Sequence, residues 1–129
     1  MSLFKKIIGS SASEAVTKKT PWILLEELSE IEQIKNVSFK TPIAIFKHST
    51  RCSISRMALK EFENDYNLNS EELKLYFLDL LAYRTISNEL AIQFNITHQS
   101  PQILLIKNGV CTYHVSHDEI IFQNLKSVI

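Results

Sequence analysis

The chain has 129 residues, 45% of them hydrophobic, and its 14 basic and 14 acidic side chains cancel at neutral pH. That length and apolar content suit one domain with one core, and the cancelled charge removes the electrostatic case for nucleic acid as a partner. No apolar run approaches the roughly 20 residues that span a bilayer, and two cysteines are too few for a disulfide framework, so a cytoplasmic protein with free thiols is expected.

Residues 1–20 read as a flexible arm and residues 21–129 as the domain. Gly9-Ser10-Ser11-Ala12-Ser13 is flexible in composition. Leu3, Phe4, Ile7 and Ile8 give the arm one short apolar face, well below the apolar length of a secretory signal. From Pro21 the spacing of Trp22, Leu25, Leu28 and Ile31, with Glu26, Glu27, Glu30 and Glu32 between them, predicts a helix. Ile43-Ala44-Ile45-Phe46 is a continuous apolar run of the kind found in strands buried on both faces. Ile54, Met57, Ala58, Phe62 and Tyr66 then mark a helix, Leu73–Leu80 a second strand, and Ser87–Phe94 a further helix. Ser100-Pro101 opens another strand, and Asn108-Gly109 signals a tight hairpin into Val110–Val115. Ser116 and Glu119 have the spacing of a capping box at the start of a last helix. Helices alternating with strands and closed by a hairpin predict a three-layer α/β domain, its mixed sheet having parallel strands and an antiparallel C-terminal hairpin.

Chemistry concentrates at Lys47-His48-Ser49-Thr50-Arg51-Cys52-Ser53-Ile54-Ser55, between the first clear strand and the helix after it. A cysteine leading a helix has its sulfur beside unpaired backbone N–H groups and the positive end of the helix dipole. Thiolate is favoured there, and thiolate is the form that attacks disulfides. Arg51 adds a charge of the right sign. Ser55 stands where a dithiol oxidoreductase would carry its second cysteine, giving a C-x-x-S motif, and its hydroxyl is one helical turn from Cys52, in position to donate to the thiolate. Cys111 is read as a packing or edge residue. With a two-residue turn, Lys107 faces Val110, Ile106 faces Cys111 and Pro101 faces Ser116. Cys111 then lies roughly 17 Å from Pro101 along the ladder, too far for a disulfide near the motif. His48 and Cys52 alone do not make a metal site, because His98, His114 and His117 are scattered. Asp79, ending a strand, is expected to cap the following turn.

The element order, with Cys52 in C-x-x-S and Pro101 opening the hairpin strand, resembles the thioredoxin fold. His48–Ser55, together with Ser87-Asn88-Glu89 and Ser100-Pro101-Gln102, resembles the monothiol bacilliredoxin family over about Trp22–Ile129. The resemblance implies a bacterial protein in which Cys52 is the reactive cysteine and Ser55 closes the motif. It implies that Pro101 is cis and faces the sulfur, so that the backbone of Ser100 can pair with a bound thiol or peptide. Ser53 departs from the family's usual proline; it restores an N–H and adds a hydroxyl near the sulfur, both able to stabilise a thiolate.

The implied activity is thiol–disulfide exchange that removes bacillithiol, a small cellular thiol, from proteins that carry it as a mixed disulfide. Bacillithiol would be co-substrate, no cofactor would be tightly bound, and a small thiol or another redoxin would regenerate Cys52. The protein would act as a monomer. Two other readings stay open: a thioredoxin-like binding or sensing module with Cys52 as a reversible modification site, and a glutaredoxin-like protein using another small thiol.

Overall fold

The computed structural model describes residues 20–129; the arm and its short apolar face lie outside them, apart from Thr20. Among the described residues five strands and four α-helices follow the order β1 (Trp22–Leu24), α1 (Ser29–Val37), β2 (Ile43–His48), α2 (Ser53–Asp65), β3 (Lys74–Asp79), α3 (Arg84–Gln93), β4 (Gln102–Lys107), β5 (Val110–Ser116) and α4 (Phe122–Lys126). The sheet order is β1-β3-β2-β4-β5. β3 runs parallel to both β1 and β2, whereas β4 is antiparallel to β2 and to β5. This is the mixed α/β sheet expected from the sequence.

β2 is central and buried along its whole length. Its period-2 alternation divides the core. Ile43 and Ile45 join Ile34, Leu90 and Leu104 on one face, while Ala44 and Phe46 join Phe62, Phe122 and Leu125 on the other. α1 and α3 therefore cover one face and α2 and α4 the other. The next two β2 residues continue the alternation with polar side chains, Lys47 toward α3 and His48 toward α2.

The helix expected from Pro21 is replaced at its start by a strand. Trp22, Ile23 and Leu24 pair with Leu75, Tyr76 and Phe77 of β3, and the helix begins at Ser29. Trp22 stacks among Phe46, Phe62 and Phe77, and its indole N–H donates to Glu63 at 2.6 Å. That aromatic packing holds the segment extended against its helical spacing. Of the residues that mark α2 in the sequence, Ile54 and Met57 face outward with 54% and 64% of their surface exposed.

At the hairpin, Asn108 and Gly109 take φ values of 53° and 80°, the left-handed pair of a type I′ turn. Both backbone N–H groups bond to Ser38, which clamps the turn to the end of α1. Lys107 faces Val110 and Ile106 faces Cys111 as expected, but an irregularity between Leu105 and Ile106 lets Tyr113 face Leu105. Thr112 is the extra residue, and the register beyond it moves by one, so Ser116 faces Gln102 rather than Pro101. The capping box does not form. A single 3-10 turn, His117–Glu119, follows β5, and the Ser116 hydroxyl bonds to Gln99 Oε1 instead.

Candidate active site

Cys52 is the N-cap residue of α2, with extended backbone angles and its carbonyl accepting the Arg56 N–H at 3.1 Å. The sequence folds this way because β2 ends at His48, and Ser49–Cys52 make a turn closed by the Cys52 N–H on Ser49 O. The N–H groups of Ser53, Ile54 and Ser55 open the helix without intrahelical acceptors, as at any helix start. Cys52 is half-buried, free of any disulfide, and lies beyond the carboxyl end of the central strand.

The Ser100–Pro101 peptide bond is cis. Gln102, the next residue, pairs with Lys47, so Pro101 lies at the same end of β2 as the cysteine loop. The Ser100 hydroxyl is buried and has no hydrogen-bond partner among the described residues. Pro101 O accepts the backbone N–H of His117, a residue held at φ 58°. Histidine, like asparagine, tolerates this left-handed conformation better than most residues. His117, Ile54, Met57 and Ile120 line an open groove of about 460 Å³ beginning two residues beyond Cys52.

Ser55 is fully buried, but its hydroxyl is not directed at the sulfur as the sequence suggested. It lies 2.7 Å from His48 Nδ1 and accepts the Ser49 N–H at 3.1 Å. The reason is local: His48 ends β2 pointing into α2, so the serine one turn into the helix meets the imidazole first. Burial lowers the His48 pKa, with Asp79 opposing and Arg56 reinforcing the shift. Arg51 and Ser53 are exposed. The arginine that braces the loop is Arg56, whose guanidinium donates to Thr50 O at 3.2 Å.

Cys111 is half-buried against the α1/α3 core, and its thiol donates to Tyr113 O at 3.4 Å. Burial pushes that thiol up from its ordinary value. Asp79 Oδ1 accepts the N–H groups of Leu81 and Ala82, capping the turn after β3. Among the described residues no three His, Cys, Asp or Glu side chains gather as a metal-ligand set, and no helix is long and apolar enough to cross a membrane.

Within the motif string, the sequence weighs His48 only as a metal ligand and gives Lys47 no role, yet both side chains are buried. The available signal was their position: they directly continue the apolar run Ile43–Phe46, which a buried central strand would carry inward.

Comparison with known proteins agrees with this geometry. The family model for monothiol bacilliredoxin BrxC matches residues 23–125. A solved thioredoxin-fold structure, described provisionally as an oxidoreductase, is 26% identical, covering 82% of this chain and 91% of its own, with a TM-score of 0.71. Malassezia sympodialis thioredoxin is 15% identical with a TM-score of 0.65, over 88% of this chain and 92% of its own. Schistosoma mansoni thioredoxin is 18% identical with a TM-score of 0.59, over 84% and 92% respectively. The last two show the fold alone.

Proposed function

Because the chain belongs to the monothiol bacilliredoxin family, we propose that it removes bacillithiol from protein mixed disulfides by thiol–disulfide exchange at Cys52. Family and fold together support a thiol-oxidoreductase-like role. The observation that carries the finer reading is the position of Cys52: a half-buried thiol at the open N-terminus of a 13-residue helix, at the strand end that also carries cis-Pro101.

In this reading the Cys52 thiolate attacks the bacillithiol sulfur of the mixed disulfide. The old S–S bond breaks as the new one forms, and the client cysteine leaves as thiolate and takes a proton from water. A second thiolate, from a small thiol or another redoxin, then attacks the Cys52–bacillithiol bond and restores Cys52. Open backbone N–H groups at the start of α2 stabilise negative charge on the sulfur, while the Ser100 backbone offers pairing groups to the bound cap. Ser55 acts at one remove: it fixes His48 and the Ser49 N–H, and thereby the turn that presents the cysteine. Since Ser55 has no sulfur, the motif forms no internal disulfide, which suits removal of a small cap.

The test is intact-mass spectrometry of wild type, Cys52→Ser and Cys111→Ser after incubation with a bacillithiol-capped model protein. Wild type and Cys111→Ser should each gain one bacillithiol as the model protein is freed, and Cys52→Ser should do neither. A model protein that stays capped while Cys52 alkylates freely would overturn the reading and favour a sensing module.

A further inference from the structure

Lys47 is fully buried, and its ammonium lies 2.8 Å from His98 Nδ1, so the recorded partner of this buried cation is another base. An ammonium has no acceptor capacity. The Lys47 Nζ must therefore donate, which makes His98 Nδ1 the acceptor and leaves the ring proton on Nε2. The Ser87 hydroxyl is 3.5 Å from the same Nδ1. His98 itself is exposed, so it presents an N–H donor outward with a buried positive charge behind it. Arg84, at the start of α3, adds a second positive charge felt by His98.

Burial lowers Lys47 to about 8, and burial followed by the charges of Lys47 and Arg84 lowers His98. No carboxylate is among these causes. Among the described residues the groups packed about Lys47 are neutral: Leu78 of β3 and Gln102 of β4 flank it in the sheet, with Ser87 of α3 on its face. Among the described residues this buried cation has no counter-charge, an unfavourable arrangement that a bound anion would relieve.

The location is informative. Gln102, paired with Lys47, also grips the 97–99 loop, donating to Thr97 O and accepting the Gln99 N–H. That loop runs directly into Ser100 and cis-Pro101. The two cations and the His98 ring N–H thus stand beside the segment against which a cap on Cys52 would lie.

We propose that Lys47, His98 and Arg84 form a subsite for a carboxylate of the small thiol exchanged at Cys52. His98 Nε2–H and the Arg84 guanidinium contact the carboxylate, and Lys47 holds the ring in the donating tautomer and supplies charge from below. The proposal rests on the exchange reading above and adds the chemical feature by which a cap is chosen.

The test uses the full chain as Cys111→Ser, leaving one thiol, and two small symmetric disulfides, dithiodipropionate with carboxylates and hydroxyethyl disulfide without charge. In each reaction the Cys52 thiolate attacks one sulfur, the other leaves as thiolate, and the adduct is followed by intact mass. The ratio of the two rates isolates the carboxylate, because titration of Cys52 cancels. His98→Ala should lower the carboxylate-to-neutral ratio about tenfold, as expected for loss of a charge-assisted hydrogen bond. In the parent chain the ratio should also fall as pH rises through about 8, where Lys47 loses its proton. A ratio unchanged by His98→Ala overturns the subsite. So does a preference seen only with capped peptides that carry a glutamate, which would assign the carboxylate to the client.

A second measurement does not depend on exchange. Cys52→Ser titrated with succinate should show His98 ring resonances moving to saturation, and resonances that stay in place overturn the subsite. If neither disulfide adds to Cys52, the exchange reading fails while the succinate titration still decides this one.

Discussion

The Ser55 hydroxyl and His48 Nδ1, 2.7 Å apart, tie the first turn of α2 to the last residue of β2, with the cysteine loop spanned between them. Both side chains are buried. Ser55→Ala would leave His48 Nδ1 and the Ser49 N–H without their partner, a loss of about 1–3 kcal/mol. Chemical denaturation should show the lower midpoint. The exchange rate should fall less than with Cys52→Ser, because the Ser55 hydroxyl spends its hydrogen bonds on His48 and the Ser49 N–H and so positions the loop.

Acid should weaken the fold through His48. Burial is the main cause holding its folded pKa below 6.5, so the unfolded chain binds more protons below that value and stability falls with pH from about 6.5 downward. The contribution is fully present above 6.5 and is lost as pH drops through the depressed folded value. One such group gives a slope of at most about 1.4 kcal/mol per pH unit. Denaturation midpoints measured between neutral and mildly acidic pH should fall less steeply in His48→Gln than in wild type.

Lys47 makes the opposite kind of prediction. With its folded pKa lowered from 10.5 to about 8, the charged form is disfavoured in the native state at neutral pH. Replacing it with the similarly sized, apolar methionine should therefore raise stability, on the order of 1–3 kcal/mol at neutral pH. Between about 8 and 10.5 the unfolded chain holds the extra proton, so wild type should gain on Lys47→Met as pH rises through that window. Thermal unfolding of the two proteins at neutral and alkaline pH reads both effects. A more stable variant with poorer discrimination between disulfides would mark Lys47 as a residue kept for function at a cost in stability.

Gly109→Ala should destabilise the hairpin. The residue sits at φ 80°, and an added Cβ would come within 3.1 and 3.2 Å of the Phe39 ring. Phe39 is 66% exposed and can move aside, so the main penalty is backbone strain of about 1 kcal/mol. Equilibrium denaturation checks it.

What the sequence made legible follows a physical divide. Cys52 at a helix start, the central strand before it and the Asn108-Gly109 turn depend on short-range rules, and each is found where those rules put it. β1 was hidden because three residues carry no period, and the apolar spacing from Trp22 to Ile31 imitates a helix; aromatic packing on Phe62 and pairing with β3 decide the conformation. Ile54 and Met57 mark the helix by their spacing, but hydropathy cannot tell a buried helix face from one bordering an open groove, and they border the groove. Lys47 and His48 were read as part of a polar motif because their burial comes from strand register, which the composition of the motif does not carry. The Ser116–Glu119 capping pattern failed because the Ser116 hydroxyl found Gln99, a partner supplied by tertiary structure.

The bulge at Thr112 has a consequence for how copies of the protein meet. Among the described residues β5 pairs only with β4 and so ends the sheet, where a long, flat row of unpaired backbone groups would be a template for strands of neighbouring chains. A bulge at that position bends and twists the strand out of register with any straight partner. At the opposite margin β1 is only three residues long, too short to seed a ladder. Both margins of the sheet are thereby blunted, which disfavours edge-to-edge aggregation.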